Sequence, residues 1–183
     1  MKRVWRYFLY LSVIFLLGLF AGIVYAYSNP QNAGAFVGRL AREIGPLSPD
    51  PFENFLRIFV HNSMVALMVL LSGLFFGIGP WLMVGLNGVV VGIVSGFFSL
   101  VGFSAKKLFL GLAPHGIFEI PGFLLAGAAG LEWYRMIREA EEASEGFKKG
   151  GKAALRLYLL TLILLLIAAF IEAYVTPKVA GLG

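Results

Sequence analysis

Long stretches of the chain carry almost no charge, and short charged patches separate them. Crossing the hydrocarbon core of a bilayer takes about 20 mostly apolar helical residues. Five segments reach that length: 5–27, 51–77, 81–100, 108–131 and 154–175. The first, Trp5 to Tyr27, is broken only by Arg6. It follows Met1, Lys2 and Arg3, and "VYA" at 24–26 resembles a signal-peptidase site, so a cleaved signal is the rival reading. Its apolar run exceeds the roughly 7–15 residues of an ordinary signal core, which favours an uncleaved helix. The second span has a clear start: Asp50 can cap, Pro51 suits the first helical position, and Glu53 lies in the first turn. "GIGP" at 77–80 predicts a tight turn into the third span. The fourth span contains Pro114 and Pro121. Pro121 has no N–H for the Ile117 carbonyl, which predicts a bent or broken span.

Two connecting segments carry a pattern of their own. In "AGAFVGRLAREI" (33–44), Ala33, Phe36, Val37, Leu40, Ala41 and Ile44 share one helical face. Arg39, Arg42 and Glu43 lie off its centre, so a short amphipathic helix is expected, lying on the membrane or on the bundle itself. Residues 132–153 interleave Arg135, Arg138, Lys148, Lys149 and Lys152 with glutamates. That composition predicts a helical extension of the fourth span, followed by a glycine-rich hinge at "GFKKGGK" (146–152).

Composition agrees with the pattern. The chain is 59% hydrophobic with a mean hydropathy of +0.84, against about 45–50% apolar in soluble domains. The net charge of +5 sits mostly at the ends of apolar runs, where it sets topology and meets anionic lipid rather than nucleic acid. No cysteine is present, which removes disulfides, thiolate metal sites and thiol catalysis. The fold class expected is all-α, a polytopic transmembrane bundle forming one integral membrane domain over residues 1–183. With the N-terminus inside, the inner segments hold Lys2, Arg3, Arg6, Arg135, Arg138, Lys148, Lys149, Lys152 and Arg156. The outer ones hold fewer: Arg39, Arg42, Arg57, Lys106, Lys107 and Lys178. The positive-inside rule therefore places the N-terminus in the cytoplasm and the C-terminus outside the cell membrane.

Small residues recur every fourth position in two spans. Gly88, Gly92 and Gly96 form one stripe, with Gly85 nearby, and Gly122, Ala126 and Gly130 form another. Such stripes let helix backbones approach closely in lipid. Spacing alone leaves open whether they pack within one chain or between subunits.

Against this apolar background, "APHGIFEIPG" (113–122) puts His115 and Glu119 one helical turn apart. His61 and Asn62 fall near the outer start of the second span, and Glu172 in the last turn of the fifth. Asn87 stands apart, nearer the inner end of the third span. An ionised carboxylate within a membrane costs roughly 2.5–3.5 kcal/mol or more, so it persists when paired, protonated or used. His61, His115, Glu119 and Glu172 are expected to converge in one interior pocket in the outer half of the bundle. Four uses stay open: a hydrogen-bonded lock between helices, a proton or cation site, a metal site with those four residues as ligand candidates, and an intramembrane hydrolase. The last lacks any H-E-x-x-H, G-x-S-x-G or Walker sequence.

The segments "FVHNSMVAL" (59–67), "GLFFGIGPWLMVGLNGVVVG" (73–92), "APHGIFEIPGFLLAGAAG" (113–130) and "IAAFIEAYVTP" (167–177) together resemble the stage II sporulation protein M family. The family pattern falls on Asn62, Asn87, Gly88, His115, Gly116, Glu119, Pro121, Glu172 and Pro177. The resemblance implies an integral membrane protein. In the best-known bacterial members it is a scaffold within a complex that remodels the cell wall, with the hydrolases supplied by partner proteins. The expectation is therefore a non-enzymatic scaffold or complex component, with no cofactor. The alternative is an ion or proton channel or transporter using the polar cluster. Expected partners are the lipid bilayer and either further copies of the chain or other membrane and envelope proteins.

Overall fold

The runs of apolar residues become helices because a chain in lipid must satisfy every backbone polar group internally. A computed structural model describes residues 2–46 and 48–179. It is 89% helical, and five of its helices are long and apolar enough to span a membrane. These are α1 (Lys2–Ser28), α3 (Pro51–Ser72), α4 (Gly79–Leu100), α5 (Ala105–Glu139) and α6 (Ala143–Tyr174). Two shorter helices, α2 (Pro30–Ile44) and α7 (Thr176–Val179), follow α1 and α6. The chain is a multi-pass membrane protein. Its helix flanks carry the apolar exposure that lipid demands: Phe20 is 67% exposed, Met64 62%, Leu86 63% and Ile163 55%.

The five long helices run alternately up and down. One end of the bundle carries α2, and the other carries the α5–α6 turn; they are called here the α2 end and the hairpin end. The most extensive helix contacts are α1 on α4 and α5 on α6. The α1–α4 seam is built from facing small residues. A Cβ on Gly88 would strike the Phe15 carbonyl oxygen, and one on Gly92 the Leu19 carbonyl oxygen. A Cβ on Gly96 would lie 2.8 Å from Ala26 Cβ. Gly18 and Gly22 make the matching recesses on α1. The second stripe is also consumed within the chain. Gly130 abuts the Leu70 backbone and Gly73, Ala126 is fully buried, and Gly122 faces Leu165.

Several elements differ from what the sequence suggests. The second span stops at Ser72, and the turn starts there rather than at Gly77. Phe76 (φ 54°) and Gly77 (φ 69°) both take left-handed backbone in that turn. The fourth span is not broken: α5 continues through Pro114 and Pro121 without interruption. Lipid offers no alternative partner to the remaining backbone groups, so the helix absorbs its two missing donors rather than opening. The hinge also moves. The turn between α5 and α6 is at 140–142, and the 146–152 stretch is the first part of α6. Its glycines serve contact instead: a Cβ on Gly150 would crowd Trp133, and one on Gly146 would meet Met136 and Ile137. The hairpin is tied by Trp133 Nε1 donating to the Phe147 carbonyl at 2.9 Å. Lys149 donates to Glu145 at 2.8 Å and holds that carboxyl below the ordinary carboxylate range.

The start of α3 follows expectation in part. Asp50 Oδ1 accepts from the Phe52 N–H at 2.9 Å, but Glu53 accepts from the Ser48 hydroxyl rather than from the capping residue's own N–H. Helix α2 lies against its own protein. Ala33 is buried with Ala26 and Ile93, and Phe36, Val37 and Phe97 pack around them.

Candidate functional site

The polar residues that interrupt the apolar spans meet at one wall. His115 and Glu119 stand one turn apart on α5, and Glu172 reaches them from the last turn of α6. One imidazole nitrogen and one oxygen from each carboxylate all lie within 4.8 Å of one another. All three side chains are half-buried. The α5–α6 pairing that presents them is close because α6 places Ala168, Ala169 and Thr161 on its buried face. The Thr161 hydroxyl donates to the Gly122 carbonyl at 3.3 Å, one turn below Glu119. His115 Nδ1 lies 3.4 Å from the hydroxyl of Thr176, a buried residue at the start of α7. That contact occupies Nδ1 and leaves Nε2 as the nitrogen open to a further partner.

The trio borders a cavity of about 550 Å³ at the α2 end. Leu40, Glu43 and Ile44 of α2 roof it, and Arg57, His61, Asn62 and Val65 of α3 form a second wall. Asn87 and Val90 come from α4, and Phe123 from α5. The Arg57 guanidinium is turned to the Pro46 carbonyl, at 3.1 and 3.2 Å, and to Asn54 Oδ1 at 3.3 Å. Among the described residues neither Glu119 nor Glu172 forms an ion pair.

Asn87, which the sequence sets apart, joins the cavity. Counting from Gly79, where α4 begins, it lies about 12 Å along the helix at 1.5 Å per residue, near mid-depth. His61 lines the same cavity but is exposed and stands outside the trio. The ligand-like group therefore has three members rather than four. Thr176 was not singled out by its sequence context. The signal available was its place directly before Pro177, where the chain leaves α6 and a short turn returns its side chain toward α5.

Beneath the cavity the bundle is mostly apolar and closely packed. Val65, Asn87 and Phe123 separate it from a void of only about 70 Å³, lined otherwise by Phe15, Val69, Met83, Val84, Ile120 and Leu124. The buried core of Leu11, Phe15, Val69, Val84, Leu124, Ala128 and Leu131 follows. At the hairpin end a second large cavity, about 560 Å³, is lined by Arg3, Arg6, Arg135, Arg138 and five aromatic rings, among others. There Arg135 pairs with Glu132 at 2.6 Å and with Glu139, and Arg3 reaches Glu139 at 3.1 Å.

The model of the stage II sporulation protein M family matches residues 11–177 of the chain. The chain is also 29% identical over 177 residues to the uncharacterized protein MJ0793 of Methanocaldococcus jannaschii, a match covering 93% of this chain and 96% of the relative. No solved structure matches it. The family match contains every residue of the trio, Thr176 and the asparagines of the cavity wall.

Proposed function

This chain belongs to the stage II sporulation protein M family, and we propose that it acts as a non-enzymatic component of a membrane complex, with the cavity at the α2 end as its recognition site. The observation that carries the reading is the closure of the bundle beneath that cavity. A conducting path needs polar groups or water through the full depth, whereas here an apolar core of seven buried side chains fills the section between the two large cavities. A recessed polar chamber above a rigid, apolar floor suits holding a group rather than passing it. The backbone-to-backbone α1–α4 seam supplies that rigidity. In this reading the cavity faces out of the cell, the N-terminus lies in the cytoplasm, and the partners are lipid and other membrane or envelope proteins.

The transporter reading has one observation in its favour: Glu119 and Glu172 are a carboxylate pair beside an open cavity within the membrane-spanning bundle. Ion and proton flux into proteoliposomes separates the two readings. Wild type, Glu119→Gln and Glu119→Ala are compared, with thermal stability measured alongside. The scaffold reading predicts no flux above empty liposomes in any variant. Wild-type flux that disappears in a stably folded Glu119→Gln protein would overturn it.

A further inference from the structure

We propose that His115, Glu119 and Glu172 form a binding site for one divalent transition-metal cation, with Zn²⁺ or Mn²⁺ as the fitting ions. The inference goes beyond the scaffold reading, which stands or falls separately on flux.

Four observations on the site converge. The three candidate donor atoms already lie within 4.8 Å of one another. Ligands about 2.0–2.1 Å from a tetrahedral zinc stand roughly 3.3–3.4 Å apart, so closing around an ion requires contraction by about 1.5 Å. Rotation about the terminal torsions of two glutamates covers that distance without moving a helix. The second observation is charge. Two carboxylates this close are settled by a shared proton or by a counter-charge, and the cavity's arginine, Arg57, is committed to Pro46 and Asn54. A cation between the pair supplies that charge. The third is orientation: Thr176 engages Nδ1 of His115, the kind of contact that fixes the ring of a metal-binding histidine.

The fourth observation comes from a separate helix. Asn62 of α3 lines the same cavity, and its amide, engaged by no protein partner among the described residues, is open to the chamber rather than buried. An amide that faces the chamber can hold a water in the ion's open coordination positions. The donor set decides the class of ion. One imidazole with two carboxylates suits borderline first-row metals, while Ca²⁺ prefers 6–8 oxygen ligands. With α5 and α6 each contributing, a bound ion would clasp the two helices at the cavity mouth.

The full chain in detergent micelles is dialysed to equilibrium against Zn²⁺ and, separately, against Mn²⁺, with Ca²⁺ as comparison. One Zn²⁺ or Mn²⁺ per chain is expected, not displaced by equal Ca²⁺. Affinity should fall at least tenfold in Glu119→Gln and in Glu172→Gln. A wild-type chain that retains no stoichiometric transition metal overturns the proposal. Full affinity in the Glu119→Gln/Glu172→Gln double variant also overturns it, by assigning binding to other groups such as His61. Should the variants fold poorly, Co²⁺ on the wild type decides. The intense visible absorption of low-coordinate Co²⁺, abolished by added Zn²⁺, is expected. The weak spectrum of hydrated Co²⁺ refutes the site.

Discussion

Placing a methyl group at Gly92 tests the seam that makes the bundle rigid. A Cβ there would lie 2.9 Å from Gly22 Cα and 3.0 Å from the Ile23 nitrogen, and closer still to the Leu19 carbonyl oxygen. Ordinary van der Waals contact begins at 3.4 Å, so α1 and α4 must part by at least 3.4 − 2.9 = 0.5 Å. The colliding atoms are backbone, so no side-chain rotation relieves the overlap. Overpacking of this kind costs about 1–3 kcal/mol, and rigid backbone neighbours place it at the upper end. The gain in helix propensity from glycine to alanine returns about 1 kcal/mol. Gly92→Ala should therefore destabilise the protein by about 2 kcal/mol. Gly111→Ala is the control: it lies within α5 with nothing inside 4 Å of its Cβ, so only the propensity gain applies. Reversible unfolding in mixed micelles, followed by circular dichroism, measures both. Equal stability of the two variants, or a Gly92→Ala protein as stable as wild type, would refute the close-packed seam.

Other positions give independent tests. Asp50→Ala removes the capping oxygen of α3 and should cost about 1 kcal/mol, recovered in Asp50→Ser, by the same unfolding measurement. Tyr158→Phe removes a 2.8 Å bond to the Ser63 carbonyl between α6 and α3; a loss of about 0.5–1.5 kcal/mol is expected, and none at all would mean the hydroxyl finds water instead. Cysteines at Ser28 and Ser104 should react with an impermeant thiol reagent outside sealed cells, and one at Ser144 only after lysis. Labelling at 144 in intact cells would invert the proposed orientation.

Much of this was legible in the sequence because lipid imposes simple rules. The five spans, the Asp50–Pro51 start and the amphipathic α2 all follow from apolar length, capping chemistry and periodicity. His115 and Glu119 stood out for the same reason: charge is conspicuous where it is expensive. What failed were inferences from single residues to local geometry. Pro121 and the glycines of 146–152 suggested a break and a hinge, yet both stretches are helical. In a membrane the neighbouring helix decides such cases. The glycines are there for Trp133 and Met136, a tertiary fact without local trace. The partner of the α4 stripe is legible in the chain: Gly18, Gly22 and Ala26 repeat the same four-residue spacing on α1. Thr176 and the part played by Asn87 required depth and direction, which spacing along one helix does not supply.

A water-accessible chamber at the α2 end, closed beneath by an apolar core, dictates which positions water can reach from each side. Because the chain has no cysteine, single cysteines report without background. His61→Cys lines the chamber, Leu124→Cys the apolar section and Tyr10→Cys the cavity at the hairpin end. Oriented proteoliposomes are treated with an impermeant thiosulfonate from each side in turn. Position 61 should react from the α2 side alone, position 10 from the hairpin side alone, and position 124 from neither. Reaction of position 124 from either side would show water through the core, and the bundle would then not be closed.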